Sequence, residues 1–246
     1  MSELVVGWLY ADLMNIYGDR GNVLALTQRA LWRGIQARVL RAGLGAEPEL
    51  AAANLIFFGG GQDKEQSLVY GDLIEHKAAL LADAAQRGVP ILAVCGGYQL
   101  LAHHYLTAEG ERLPGLGLID AHTVAGPTRL IGDVLAEADP ALGFSPSTLV
   151  GFENHSGRTH LGPRARPLAR VIVGGGNNGD DRGEGAICGS IIGSYLHGSL
   201  LPKNPQLADY LLAQALGGPL KPLDDRIELD AHEQLVARTR GRAHPS

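Results

Sequence analysis

Two cysteines, Cys95 and Cys188, are all that the 246 residues contain, too few for the disulfide framework of a secreted domain. The apolar runs fall short of the roughly 18 residues that a membrane-spanning helix needs. MSELVVGWLY at the start has no basic flank of the kind that precedes the apolar core of a signal peptide. Together these absences set the expectation of a cytoplasmic protein. Aromatic residues make up only 5%, the net charge is −5, and basic clusters interleaved with aromatics are missing, so nothing marks a nucleic-acid surface. Neither H-E-x-x-H nor paired C-x-x-C occurs, so no metal site is expected. There is no internal repeat.

Hydrophobic residues, at 45%, suffice for the core of one large domain or two small ones. Leu4 to Leu9 reads as a first strand, followed by the turn-rich YADLMNIYGDRGN. Asp19 is the expected N-cap of a helix running from Asn22 to Arg33, which Gly34 closes. Gln36 to Leu40 and Asn54 to Phe58 read as strands, the latter running into Gly59, Gly60 and Gly61. Helical spacing then holds from Asp63 to Arg87. This alternation is the signature of an α/β fold with a largely parallel central sheet flanked by helices. Ligands of such sheets bind at the carboxyl ends of the strands. Beyond Leu116 short apolar runs separated by Gly, Pro and Asn make the second half β-rich. Asn204 to Leu216 is helical again, and the end of the chain reads as an appended helix with a frayed tail.

The stretch around which this pattern turns is VPILAVCGGYQLL, Val89 to Leu101. An apolar strand stops at Cys95, two glycines follow and a helix begins, as in a nucleophile elbow. A thiol at that corner faces the positive end of the helix, which favours thiolate, the attacking species. A free cysteine in an apolar strand is usually a core hydrophobe, and Cys188 is read that way. At Cys95 the paired glycines argue for the tight corner. Glycine N–H groups beside an elbow suit a developing oxyanion, which nominates Gly60, or a neighbour, with Gly96. GGGQDKEQ does not match a phosphate loop, and GGGNNGDDRGEG, 174–185, reads as a hairpin or loop. A thiolate also needs an acid–base partner, for which histidine is suited. Of nine histidines, His197 in IIGSYLHGSLLP follows a strand-like run that would carry it to the same edge, and His155 in GFENHSGR is its rival. His103 and His104 are read as lying on the helix after Cys95, facing away.

With AVCGGYQLL, GFENHSGR and GSYLHG in this order, the chain resembles the class I, Cys-nucleophile glutamine amidotransferases. Their fold is flavodoxin-like, and the branch is the cobyric acid synthase-like (CobB/CobQ-like) one. Within it YADLMNIYGDRGN, FFGGGQDKEQ, GFENHSGRTHLG and NNGDDRGEGAICGSIIGSYLHGSLLPKNP resemble the glutaminase subunits of lipid II isoglutaminyl synthases. The likeness runs from Leu4 to about Leu216, giving an amidotransferase domain at 4–216 and a C-terminal extension at 217–246. It implies that Cys95 is the nucleophile, His197 its catalytic partner, and Arg129 in GPTRLIGD the residue that binds glutamine. A guanidinium fork suits the substrate's α-carboxylate; without the resemblance an arginine before a strand would read as surface.

The resemblance further implies a heterodimer with a MurT-like Mur ligase subunit that carries the ATP and Mg sites and the lipid II acceptor. This chain then needs no cofactor of its own. Ammonia from glutamine would amidate D-glutamate of lipid II to D-isoglutamine during peptidoglycan synthesis. One departure stands out. Triad members of the wider class carry a glutamate two positions after the histidine, where this chain has Ser199. Glu153 or a carboxylate from the partner would then orient His197. The competing expectations are a cobyrinate-type amidotransferase, a stand-alone γ-glutamyl hydrolase and a catalytically silent interaction module.

Overall fold

A computed structural model describes residues 3–61, 63–197 and 199–243. Runs that are apolar on both faces can only be satisfied inside a sheet covered on both sides. β1 (Glu3–Leu9), β3 (Leu55–Phe58), β4 (Ile91–Val94) and β12 (Ile191–Ser194) are such runs, buried over nearly their whole length. They form the middle of a six-stranded sheet closed by β2 (Gln36–Ala42) and β11 (Ala186–Cys188), in the order β11-β12-β4-β3-β1-β2. Every pairing is parallel except β11 with β12. The α/β reading therefore holds. Cys188, on the edge strand, is half-buried against the core.

α1 (Arg20–Trp32) connects β1 to β2. α2 (Asp63–Asp72), a π-helical turn (Leu73–Lys77) and α3 (Ala78–Gln86) connect β3 to β4, where one unbroken helix was expected. The π turn coincides with Lys77, which is fully buried. A buried ammonium is tolerable only when paired, and that of Lys77 lies 2.8 Å from Asp72 Oδ2 and over the ring of Tyr10. α4 (Gly96–Leu101) is short. His103 and His104 lie beyond it, contrary to expectation: His103 meets Asp120 at 2.9 Å and His104 opens β5 (His104–Leu106).

The β-rich half builds a second sheet. β7 (Ala121–Ala138) and β8 (Thr148–Leu161) make a long antiparallel ribbon whose register shifts between Ala125 and Leu130. β5, β6 (Arg112–Pro114), β9 (Ala169–Val173) and β10 (Gly183–Glu184) complete it. The segment 174–182 is a loop between β9 and β10.

α5 (Leu200–Lys203) and α6 (Pro205–Leu216) follow β12. α7 (Arg226–Ala243) is the appended helix, and it reaches into the residues read as a frayed tail; 244–246 lie outside the described residues. It is anchored at His232, buried between Thr148 Oγ1 and the Lys203 carbonyl, each 2.7 Å away. Arg29 of α1 ties the same region down, gripping Asp209 of α6 at 2.6 Å and Asp225 at 2.7 Å. Among the described residues no helix is long and apolar enough to cross a membrane.

Candidate active site

Because β1, β3, β4 and β12 run parallel and side by side, the loops after their carboxyl ends converge. These loops are residues 10–19, the glycines 59–61, the corner at Cys95 and the segment reaching His197. Cys95 has φ 50° and ψ −106°, a conformation that a side chain adopts only when its surroundings enforce it. Its N–H donates to the Ser194 carbonyl at 2.9 Å, and its own carbonyl accepts the Gln99 N–H at 3.0 Å. The glycine requirement is steric at Gly97, where a Cβ would stand 2.7 Å from the Phe58 carbonyl oxygen. The strained corner expected of an elbow is therefore present. Cys95 is 6% exposed and lines a cleft of about 360 Å³ with Gln66, Gln99, Arg129, Asn154 and His155.

The strand that brings the histidine pairs directly with the one that brings the thiol, Ser194 opposite Val94. A bridge to β8 then fixes the backbone, with the His197 N–H donating to the Phe152 carbonyl at 2.7 Å. Both side chains border Gly60. A Cβ there would lie 2.9 Å from His197 Cε1 and 3.4 Å from Cys95 Cβ, so there is room for no side chain at this position between them. The His197 ring is fully buried, and neither ring nitrogen has a hydrogen-bond partner among the described residues. Burial, then the nearby His155 and Arg129, pulls its imidazole down to about 3. At neutral pH it is an unprotonated base, as proton abstraction from a thiol requires.

His155 also lines the cleft, but its ring stacks on Tyr195 with 3.6 Å between centroids and its Nδ1 is 2.8 Å from the Gly157 carbonyl. It is built in as a wall. Arg129 falls within β7, in the register shift, rather than before a strand. Its Nε and Nη2 donate to Asn154 Oδ1 and to the Asn154 carbonyl, each at 2.9 Å, which holds the guanidinium at the cleft.

Three expectations are corrected. Gly60 sits beside the nucleophile, but its N–H donates to Asp19 Oδ2 at 2.7 Å and is not available to an oxyanion. Gly61 is the glycine that lines the cleft. Gly96 opens α4, so its N–H has no intrahelical acceptor. Asp19 in turn makes no side-chain cap to α1. Glu153 does not meet His197. Its two oxygens accept the N–H groups of Gly175 and Gly176 at 2.7 and 2.8 Å, and its nearest histidine nitrogen is that of His155, 3.8 Å away.

Sequence reasoning missed Tyr17 and Asn154. Tyr17 has φ 53° and its ring meets His197 edge-on, while Asn154 Nδ2 donates to its hydroxyl at 2.8 Å. Neither contact has a local signature, because each joins the loop after β1 to an element far along the chain.

Residues 5–205 match the family model of the CobB/CobQ-like glutamine amidotransferase domain. The chain belongs to that family. This amidotransferase is 39% identical to the lipid II isoglutaminyl synthase (glutamine-hydrolyzing) subunit GatD of Staphylococcus aureus, over 97% of each chain. It is 38% identical to the subunit of the same name from Streptococcus pneumoniae, over 96% of this chain and 88% of that one. A crystal structure of a glutamine amidotransferase superposes with a TM-score of 0.59 at 21% identity, covering 85% of this chain and 98% of that one. At that identity the likeness is one of fold.

Proposed function

We propose that this amidotransferase is the glutaminase subunit of a lipid II isoglutaminyl synthase, supplying ammonia to a MurT-like ligase subunit. The observation that carries the reading is the placement of Cys95, on its strained corner, and of His197 on either side of Gly60, with Arg129 held at the same cleft as the thiol. The GatD subunits of two organisms, similar over nearly the full length, support the acceptor and the partner.

Glutamine enters with its α-carboxylate on Arg129, a charge-assisted contact. His197 takes the Cys95 proton and the sulfur attacks the side-chain amide carbon. The negative charge passes to the amide oxygen, which the N–H groups of Gly61 and Gly96 receive. His197 returns the proton to the leaving nitrogen as the C–N bond breaks, releasing ammonia and leaving a γ-glutamyl thioester. It then deprotonates a water, whose attack frees glutamate and restores the thiol. Ammonia released into neutral water becomes ammonium, which is not a nucleophile, so it must pass directly to the partner. ATP and Mg act there, and the product is D-isoglutamine in lipid II. The reading places the protein in the cytoplasm, where ATP is available. With Glu153 committed elsewhere, a partner carboxylate is left as the group that orients the His197 imidazole.

The test is glutamine hydrolysis by the purified chain, alone and with the ligase subunit, followed by amidation of lipid II by the pair. Amidation dependent on both chains is the expected result. Strong hydrolysis by the chain alone without amidation by the pair would point to a stand-alone hydrolase, and inactivity in both settings to a silent module.

A further inference from the structure

Asp19 is fully buried, yet it does nothing for the helix it precedes: α1 receives no side-chain cap from it, and the Arg20 N–H is bound instead by Asn15 Oδ1 at 2.9 Å. Burying a carboxyl is costly, and here burial raises its pKa to about 7 against the lowering effect of one backbone N–H. That N–H belongs to Gly60. The second oxygen, Oδ1, has no partner among the described residues.

The loop Asp19 touches is bound almost group by group. The Gly59 carbonyl accepts the Gly97 N–H at 3.2 Å, the Gly60 N–H is held by Asp19, and the Gly60 carbonyl accepts the Ile16 N–H at 3.3 Å. The Gly61 carbonyl accepts from Gln66 Nε2 at 3.0 Å. From the Gly59 carbonyl to the Gly61 carbonyl, the Gly61 N–H alone takes no acceptor among the described residues, and Gly61 lines the cleft. Space enforces the same arrangement, since a Cβ on Gly59 would stand 3.0 Å from Asp19 Oδ2.

We infer that Asp19 is a positioning residue for the glutaminase reaction, fixing the Gly59–Gly60 peptide so that the Gly61 N–H, paired with that of Gly96, faces the amide oxygen of bound glutamine. The inference rests on the glutaminase reading and adds to it the group that sets the oxyanion site. Asp19 touches no substrate and acts only through the peptide it holds.

Asp19→Asn keeps an oxygen acceptor for the Gly60 N–H, Asp19→Ala removes it, and Gly61→Pro deletes the proposed donor itself. Each is assayed with the wild-type chain and its ligase subunit for kcat and KM with glutamine, and for alkylation of Cys95 by iodoacetamide, which needs no oxyanion site. Asp19→Ala is expected to lose kcat by roughly 10- to 100-fold, with KM within about two-fold and alkylation at the wild-type rate. Asp19→Asn should recover to within a few-fold of wild type, and Gly61→Pro should lose kcat like Asp19→Ala. The inference is overturned if Asp19→Ala keeps its kcat, if Asp19→Asn is as impaired as Asp19→Ala, or if alkylation falls in step with kcat. Should Asp19→Ala not fold, a Gly61→Pro protein with full kcat overturns it equally. A wild-type chain that hydrolyses no glutamine in either setting would sink the glutaminase reading and this inference together, whereas active wild type with active variants sinks the inference alone.

Discussion

The ring of Tyr17 meets the imidazole of His197 edge-on, with 5.0 Å between centroids and 69° between planes, while its hydroxyl accepts a hydrogen bond from Asn154. Asn154 in turn holds Arg129. One side chain thus touches both His197 and the residue that holds Arg129, and two substitutions separate these contacts. Tyr17→Phe keeps the ring and loses the hydroxyl, a neutral hydrogen bond worth about 1 kcal/mol, so KM for glutamine should rise by roughly 3- to 10-fold with kcat near wild type. Tyr17→Ala should lower kcat as well. Steady-state kinetics decide, and equal effects of the two variants on kcat would refute the division.

Cys95→Ala should abolish glutamine hydrolysis, because covalent attack has no other nucleophile on the strained corner. A glutamine-analogue electrophile should add one label to the wild-type chain by mass spectrometry and none to the variant. Turnover by Cys95→Ala at the wild-type rate would end the mechanism.

Arg129→Ala should raise KM for glutamine by roughly 10- to 100-fold, the loss of a charge-assisted contact of about 1.5–3 kcal/mol. Arg129→Lys should recover little, since an ammonium cannot keep both contacts to Asn154 and still present a fork. The control is an amide substrate lacking the α-carboxylate: its kcat/KM should be the same in wild type and Arg129→Ala.

The unprotonated state of His197 has a cost in acid. In the folded chain its imidazole titrates near 3, in the unfolded chain near 6.5, so the unfolded state binds the extra proton first. Stability from this group is fully present well above pH 6.5 and declines as pH falls through 6.5 toward 3, by about 1.4 kcal/mol at pH 5.5. Between pH 7.5 and 5.5 the wild-type Tm should therefore drop by roughly 2–4 °C more than that of His197→Asn. Parallel drops in the two proteins would contradict the buried, neutral ring.

Arg29 tests the anchoring of the C-terminal region. Its guanidinium, 4% exposed, holds Asp209 and Asp225. Arg29→Ala would leave Asp225 without its buried partner and Asp209 with Arg33 alone, at a cost of about 3 kcal/mol, lowering Tm by roughly 5–10 °C. At a temperature where both are folded, hydrolysis per molecule should match wild type. An unchanged Tm would show that the cluster is not stabilising.

What was legible in the sequence was whatever lies in one short window. The apolar run ending at Cys95 and followed by paired glycines specifies a strand, a corner and a helix without outside help, and the corner is found with the backbone such an elbow needs. The run before His197 likewise carried it to the same sheet edge. What failed depended on partners far away in the chain. Asp19 looks like an N-cap because its neighbours suit a helix start, yet its carboxyl is claimed by Gly60 on another loop. Glu153 is two residues from His155 and near the site in sequence pattern, but the turn at Gly175 and Gly176 offers it two N–H groups at once. The π turn ends at Lys77, whose buried ion pair with Asp72 no helical periodicity encodes.

The position of β12 between β11 and β4 has a bearing on biosynthesis. β4 and its thiol leave the ribosome about a hundred residues before the strand that fills the gap beside them and delivers the imidazole. A nascent chain halted before Ile191 therefore has Cys95 without His197 on the neighbouring strand, and an open edge beside β4 that invites foreign strands.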